Sequence, residues 1–246
     1  MKRLTALFLA GLTIWSFSAR AAETQTVREV FVCSYVNGAG MTELLAARDA
    51  LVELNTQLGI EDQLAFVWTP YKANVDFDLL WFANHENLNA FGKVADAYNS
   101  AEGTAALDAA FGDVVDCNSS LYFQEQIYEG GELEITQPPA ILESYRCTFH
   151  DGKGLGDLPD ALAYWKQTLD QLGTHKSYDA YMATPFIANT PVDVGYYAVH
   201  ASVQGFAETA TAYQSSDGGA EADRRFDEIQ NCETSLWYGQ RVIPAM

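Results

Sequence analysis

The chain has 246 residues and is strongly acidic, with 33 Asp and Glu against 14 Lys and Arg and a formal net charge of −19 at pH 7. A surface of this charge repels nucleic acid and anionic lipid, so we expect neither as a partner. Apolar residues make up 48% of the chain, which is ample for a packed core. No segment beyond the N-terminus has the run of about 18 apolar residues that a membrane span requires.

The N-terminus has the three parts of a secretory signal peptide. Met1–Arg3 is basic, Leu4–Phe17 is apolar, and Ser18–Ala22 contains an Ala-x-Ala cleavage site. We therefore predict a signal peptide over residues 1–22, and a mature protein that is periplasmic or secreted. The alternative interpretation of this segment is a buried N-terminal core helix.

Strand and helix patterns then follow one another along the chain. Val30–Val36 is rich in strand-forming residues, and apolar residues recur at helical spacing from Leu44 to Leu58, where Gly59 ends the helix. We further predict strands at Leu64–Tyr71 and Phe77–His85, helices at Leu88–Tyr98 and around Ala105–Val115, and a strand at Ser119–Tyr128. The order β-α-β-β-α-β is that of the ferredoxin-like motif.

The same pattern occurs a second time. Residues 33–41 return as residues 147–155, with a Cys, an aromatic residue and two Gly residues at matching places. Further matched pairs are Leu58 and Leu172, Thr69 and Thr184, His85 and His200, Phe91 and Phe206, Tyr98 and Tyr213, Phe111 and Phe226, and Cys117 and Cys232. We therefore predict two repeats, at residues 23–130 and 141–246, joined by a Gly- and Pro-containing linker at residues 131–140.

One ferredoxin-like unit has helices on only one face of its sheet, so its other face needs a cover. A tandem copy supplies one, which predicts an α+β fold in which two ferredoxin-like βαββαβ repeats form a single-chain α+β barrel. This arrangement resembles the dimeric α+β barrel superfamily, over nearly the whole mature chain. That group includes antibiotic-biosynthesis-monooxygenase-like proteins, stress-responsive barrel proteins and haem-binding chlorite-dismutase-like enzymes, so the fold alone implies no single activity.

Four cysteines in an exported chain indicate two disulfides. Each repeat has one Cys in its first strand and one near its last strand, and those two strands are antiparallel neighbours in a ferredoxin-like sheet. We therefore predict the pairs Cys33–Cys117 and Cys147–Cys232. A metal or redox role is the alternative, but the chain has no CxxC spacing and we predict no metal site.

Strand alternation separates a helix-facing side, which carries the cysteines, from a barrel-facing side. On the barrel side, Val32, Val36 and Gln126 of the first repeat correspond to two Arg residues and a His in the second. Because Arg binds carboxylates in a bidentate manner, this set predicts a site for an anionic or aromatic ligand. The predicted ligand-binding residues are Arg146, His150, Trp237, Arg241, Tyr122 and Ser235. A salt bridge between the sheets or an exposed strand end is the alternative.

His85 and His200 occupy the same place in both repeats, at the end of the third strand. With His150 they are the candidate catalytic residues, as general bases or ligands. The alternative for His85 and His200 is a structural hydrogen bond at the strand–helix turn. We predict no cofactor from the residues, although the resemblance to chlorite-dismutase-like proteins leaves haem open.

Three functions are compatible with this pattern. The first is an exported binding protein with a small molecule in a cavity between the two barrel repeats. The second, implied by the resemblance, is a cofactor-free monooxygenase-like or haem-dependent enzyme of the α+β barrel type. The third is a structural protein with a filled barrel. We expect a monomer or a weak homo-oligomer.

Overall fold

The computed structural model describes residues 25–60, 64–130, 140–173, 178–188 and 191–243. The predicted signal peptide and residues 131–139 of the predicted linker lie outside these ranges. The described residues form eight strands and six α-helices, which makes the fold α+β. No helix among them is long and apolar enough to cross a membrane.

The elements run in the same order in residues 26–129, the first half, and residues 140–243, the second half. The first half contains β1 (Thr26–Tyr35), α1 (Met41–Leu58), β2 (Leu64–Lys72), β3 (Leu79–His85), α2 (Leu88–Tyr98), α3 (Ala101–Phe111) and β4 (Val115–Glu129). The second half contains β5 (Ala140–Phe149), a 3-10 turn (Leu155–Asp157), α4 (Leu158–Leu172), β6 (Tyr178–Ile187), β7 (Val194–His200), α5 (Val203–Gln214), α6 (Asp217–Asp227) and β8 (Gln230–Ile243).

The eight strands close into one barrel in the order β1-β3-β2-β8-β5-β7-β6-β4. Every neighbouring pair is antiparallel. Within each half the fourth strand lies beside the first, then the third, then the second. The halves join where β2 pairs with β8 and where β4 pairs with β6, so the ladder closes within one chain.

Several predicted boundaries differ from the structure, and the contacts at two of them give a physical reason. Phe77 lies outside β3, because its ring leaves the ladder and stacks on Trp237 at 5.8 Å. Val115 belongs to strand β4 and not to the preceding helix. That helix ends at Phe111, where the N–H of Val114 bonds to the Phe111 carbonyl in a tight turn.

Large side chains occupy much of the barrel interior. Trp68 lies against Gly239, its partner across the β2–β8 ladder, and a Cβ at position 239 would overlap the indole ring. The buried interior residues are Val30, Trp68, Leu80, Phe82, Tyr122, Ala140, Leu142, Ala183, Val199 and Trp237. The helices pack on the outer side of the sheet, where Cys33 lies in one cluster with Leu44 and Leu51.

Both predicted disulfides are confirmed. Cys33 bonds to Cys117 and Cys147 to Cys232, each pair directly opposed in its ladder with a Cα–Cα distance of 4.1 Å. They span 84 and 85 residues, and in the chain-entropy account a loop of that length contributes about 4 kcal/mol. Two such bonds indicate an oxidising compartment.

Candidate functional site

A pocket lies on the helix side of the second half, not between the two halves. It has a volume of about 390 Å³, within the usual range for small-molecule sites. The floor comes from β5, β7 and β8, with one residue each from β4 and β6, and the walls come from α4, α5 and α6. We call it the helix-side pocket.

A chain of three polar side chains forms its floor. The Tyr145 hydroxyl donates to Oε1 of Glu143 at 2.6 Å, and Oε2 of Glu143 lies 3.6 Å from Nε2 of His200. His200 is 2% exposed and the Glu143 side chain is 21% exposed. Burial and the charge of Glu143 raise the pKa of Tyr145 well above its usual value, so this phenol stays a donor. The arrangement holds a carboxylate between a phenol and an imidazole.

A second set of polar groups lines the pocket nearer its mouth. The Tyr213 hydroxyl donates to Oδ1 of Asp223 at 2.8 Å, and the Tyr196 hydroxyl donates to Oε1 of Gln230 at 3.3 Å. Partial burial, followed by the charges of Asp227 and Glu143, raises the pKa of Asp223. The carboxylates therefore repel one another, and a bound cation would relieve that repulsion.

Aromatic and aliphatic side chains complete the walls. Tyr196 and Phe226 meet edge to face with ring centroids 6.0 Å apart, and Trp165 packs in the same way on Tyr128 at 5.7 Å. Among the described lining residues there are three acidic side chains, Glu143, Asp223 and Asp227, and no Lys or Arg. The helix-side pocket is thus aromatic and negatively charged.

The three candidate histidines have different surroundings. His200 is in the helix-side pocket, with its ring edge-on to Phe206 at 5.3 Å. His85 has the equivalent contact with Phe91 at 5.4 Å, but it does not line this pocket. His150 follows β5, and its Nε2 lies 2.8 Å from the Asp227 carbonyl oxygen, which suits a role in holding the turn.

Some of the predicted ligand-binding residues lie together inside the barrel. Trp237 is 3% exposed, and its indole N–H donates to the Ser144 hydroxyl at 2.9 Å. That hydroxyl also lies 3.5 Å from the Ser235 carbonyl oxygen, and Tyr122 belongs to the same buried interior cluster. Trp237 and Tyr122 are packed as part of the barrel core.

The structure does not bring Arg146 and Arg241 together. Arg146 is paired in register with Glu233 across the β5–β8 ladder. Arg241 lies eight residues farther along β8, a distance of about 27 Å at 3.4 Å per residue. Both side chains are exposed, at opposite ends of the barrel. The two arginines thus do not form one cluster with Trp237.

Sequence reasoning missed Glu143, Tyr145, Tyr213 and Asp223. A signal for the first two was present, because Glu143 and Tyr145 alternate with Cys147 along β5 and so face the helices. A carboxylate on a face that is otherwise buried is uncommon enough to mark a site. Asp223 and Tyr213 come from different helices, and only the fold brings them together.

Comparison with solved structures identifies the fold. A mutant chlorite dismutase from Candidatus Nitrospira defluvii is 12% identical with a TM-score of 0.53, and it matches over 88% of this chain and 92% of its own. A proposed monooxygenase from Lactobacillus acidophilus is 8% identical with a TM-score of 0.56, over 89% and 95%. A second proposed monooxygenase, from Fusobacterium nucleatum, is 10% identical with a TM-score of 0.55, over 89% and 94%.

The chain has the dimeric α+β barrel fold. This confirms the predicted resemblance at the level of the fold, and identities near 10% carry no activity with them. No protein-family model and no curated protein sequence matches the chain.

Because the α+β barrel group includes haem-binding chlorite-dismutase-like enzymes, the helix-side pocket has to be considered as a site for haem. Haem carries two propionates and is held through an axial side chain such as His. The described lining of the helix-side pocket is acidic without Lys or Arg, and Nε2 of its His200 is turned toward Glu143. These residues do not fit haem. In the described part of the chain, no three His, Cys, Asp or Glu side chains meet in a way that could hold a metal ion.

Proposed function

We propose that this protein is an exported small-molecule-binding protein, whose ligand is a small organic cation with an aromatic or apolar body. The observation that carries the proposal is the helix-side pocket itself. About 390 Å³ of space is bounded by aromatic rings and three carboxylates, with no basic residue among the described lining residues.

Two physical effects favour a cation there. Aromatic faces attract ammonium groups, by about 0.5–2 kcal/mol depending on how far the group is desolvated. In addition, burial and then the charges of Asp227 and Glu143 raise the pKa of Asp223, and a positive charge between these carboxylates relieves their mutual repulsion. The sequence predicted an anionic or aromatic ligand inside the barrel, and the ligand proposed here can share the aromatic body but differs in charge and in place.

The signal-peptide pattern of residues 1–22 and the two disulfides support export. The identical element order of the halves and their equivalent disulfides support an origin by duplication of a ferredoxin-like unit. The closure of the barrel within one chain supports a monomer, because the ladder has no free edge to extend.

The test is calorimetric titration of the mature protein with benzylamine and with benzyl alcohol, its neutral counterpart. We expect benzylamine to bind at least tenfold more tightly than benzyl alcohol, because the carboxylates attract the ammonium group and have no such attraction for the neutral compound. Asp223→Asn should weaken benzylamine binding roughly tenfold and leave benzyl alcohol unchanged. Asp108→Asn is the matched control, since Asp108 occupies the equivalent exposed position on α3. Equal affinity for the two compounds would contradict the proposal.

A second candidate function is a cofactor-free oxygenase. The row of Tyr145, Glu143 and His200 favours it, because a carboxylate that lies 3.6 Å from a buried imidazole beside a pocket can accept a proton from a phenolic substrate. Oxygen uptake with hydroquinone, reduced at least tenfold in His200→Ala, would support this function. Absence of uptake in the wild-type protein would leave the binding function.

A further inference from the structure

The barrel interior contains a buried positive charge with no acidic partner. Arg28 on β1 faces inward and is 5% exposed. Its Nε donates to Oδ1 of Asn84 at 2.9 Å, whereas Nη1 is buried without a hydrogen-bond acceptor among the described residues. No described carboxylate forms an ion pair with Arg28 or contributes to the shift of its pKa.

Aromatic rings offset part of the free-energy cost of burying the Arg28 guanidinium. The guanidinium carbon lies 4.8 Å from the ring centroid of Phe82, 5.2 Å from that of Tyr197 and 5.7 Å from that of Tyr181. Burial lowers the pKa of Arg28 to about 10, which leaves the group charged at neutral pH. A buried charge whose neighbours are aromatic rings and one neutral amide remains costly, and an anion is the partner that would satisfy it.

Arg28 lies at a cavity of about 240 Å³, near the end of the barrel where β1 begins. Two further buried groups without a hydrogen-bond partner in the described chain belong to residues of the same lining, the indole N–H of Trp68 and Oε1 of Gln124. The remaining wall is mostly apolar, with Phe66, Leu142 and Val199, and no described lining residue is acidic. The cavity therefore combines a cation, a neutral donor and an acceptor with an apolar wall.

We propose that this cavity is a second ligand site, which binds a small monocarboxylate with an apolar body through the guanidinium of Arg28. The carboxylate accepts from Nη1, and the apolar body lies among the rings and aliphatic side chains. The volume is below the roughly 300–1,000 Å³ of drug-sized sites, which restricts the ligand to small acids. The site is distinct from the helix-side pocket, with which it shares none of the named lining residues.

The experiment titrates the mature protein with acetate, isobutyrate and benzoate, and with benzamide as the neutral counterpart of benzoate. We expect at least one of the acids to bind, and benzoate to bind at least tenfold more tightly than benzamide. Arg28→Met should weaken binding of the acids by roughly tenfold to a hundredfold, the value of one charge-assisted hydrogen bond, and leave benzamide unchanged. Lys93→Met is the control, because it removes one exposed positive charge from α2.

Three results would overturn the proposal: no binding of any of the acids, equal affinity for benzoate and benzamide, or unchanged binding of the acids in Arg28→Met. If Arg28→Met does not fold, Arg28→Lys retains the charge without the planar fork, and the comparison of benzoate with benzamide needs no variant. Asp223→Asn should leave benzoate binding unaltered, and Arg28→Met should leave benzylamine binding unaltered. Failure of one site is thus separable from failure of the other.

Discussion

The two halves of the barrel carry the same Glu and His on the helix side, and in the second half these two residues line the helix-side pocket. In the second half, Glu143 accepts from Tyr145 and lies 3.6 Å from His200. In the first half, Glu29 is paired with the Ser119 hydroxyl, and Nε2 of His85 is buried without a partner among the described residues.

The difference arises from a few neighbouring substitutions. Phe31, Trp81 and Val115 of the first half pack in an apolar cluster around Cys33. Their equivalents in the second half are Tyr145, Tyr196 and Gln230, and all three line the helix-side pocket. In the second half, hydrogen-bonded polar side chains thus stand where the first half has apolar core residues. The strand order and the disulfides are the same in both halves.

The barrel interior has its own inequality between the halves. Trp68 of β2 opposes Gly239 of β8, whereas the equivalent ladder position in β6 and β4 has Ala183 opposite Gln124. At the β2–β8 junction, the indole ring of Trp68 packs directly on the backbone of Gly239. The other junction has a small residue and an amide whose Oε1 has no partner in the described chain. The order of the strands is the same in both halves, and complementary side-chain sizes let these two halves share one interior.

Glu29 gives the largest expected effect on stability. Burial raises its pKa in the folded protein to about 7, against 4.5 for the ordinary side chain, and the bond from Ser119 offsets only part of that. Between these values the folded state holds the proton more tightly, so its contribution to stability is present below pH 4.5 and is lost as the pH rises through 7. Glu29→Gln should therefore gain up to about 3 kcal/mol relative to wild type between pH 4 and pH 8 in urea unfolding.

His85 acts in the opposite direction. Burial lowers its pKa from 6.5 to about 4, so the unfolded state binds more protons in that range and stability rises with pH. Glu29→Gln retains this rise across pH 4–6.5, whereas Glu29→Gln/His85→Gln should be flat there. A Glu29→Gln profile that runs parallel to wild type would show that Glu29 is solvated in the folded protein.

Gly239→Ala tests the unequal interior and should cost about 2 kcal/mol. The added Cβ has no room, because the Trp68 ring lies on the Gly239 backbone and must shift within a packed interior. The midpoint of urea unfolding at pH 7 measures the loss. Gly92→Ala on α2 is the matched control, since a Cβ there meets no atom within 4 Å. Equal stability of the two variants would mean that the Trp68 ring moves without cost to make room for the added methyl group.

The fold and the disulfides were predictable because they rest on features that repeat. Two Cys pairs and two runs of β-α-β-β-α-β are periodic signals, and the register follows once Cys33 faces Cys117. That register also places Arg241 at the opposite end of β8 from Cys232, so the proposed arginine cluster could have been rejected from the sequence. The inward face of β1 extends two residues beyond Val30 to Arg28, and continuing the alternation would have found it.

The helix-side pocket could not be predicted in the same way. Its lining comes from three helices and five strands that meet only in the folded chain, and its volume depends on how α6 packs against α4. Single substitutions such as Tyr196 for Trp81 look conservative in the sequence. Their effect is visible only in the structure, where the Tyr196 hydroxyl donates to Gln230, the residue that corresponds to Val115 of the first half.

The smallest expected effect comes from exchanging one hydroxyl between the halves. Tyr145→Phe copies Phe31 and removes the donor to Glu143, a carboxylate that is 21% exposed and can recruit water. We expect a loss of about 1.5 kcal/mol in urea unfolding at pH 7, at the low end for a bond to a charged group. The reciprocal Phe31→Tyr should give Glu29 a phenol donor and lower its pKa, which would reduce the loss of stability between pH 4.5 and 7. If Phe31→Tyr leaves that loss intact, the hydroxyl does not reach Glu29, and the difference between the halves lies in their helices and not in this residue.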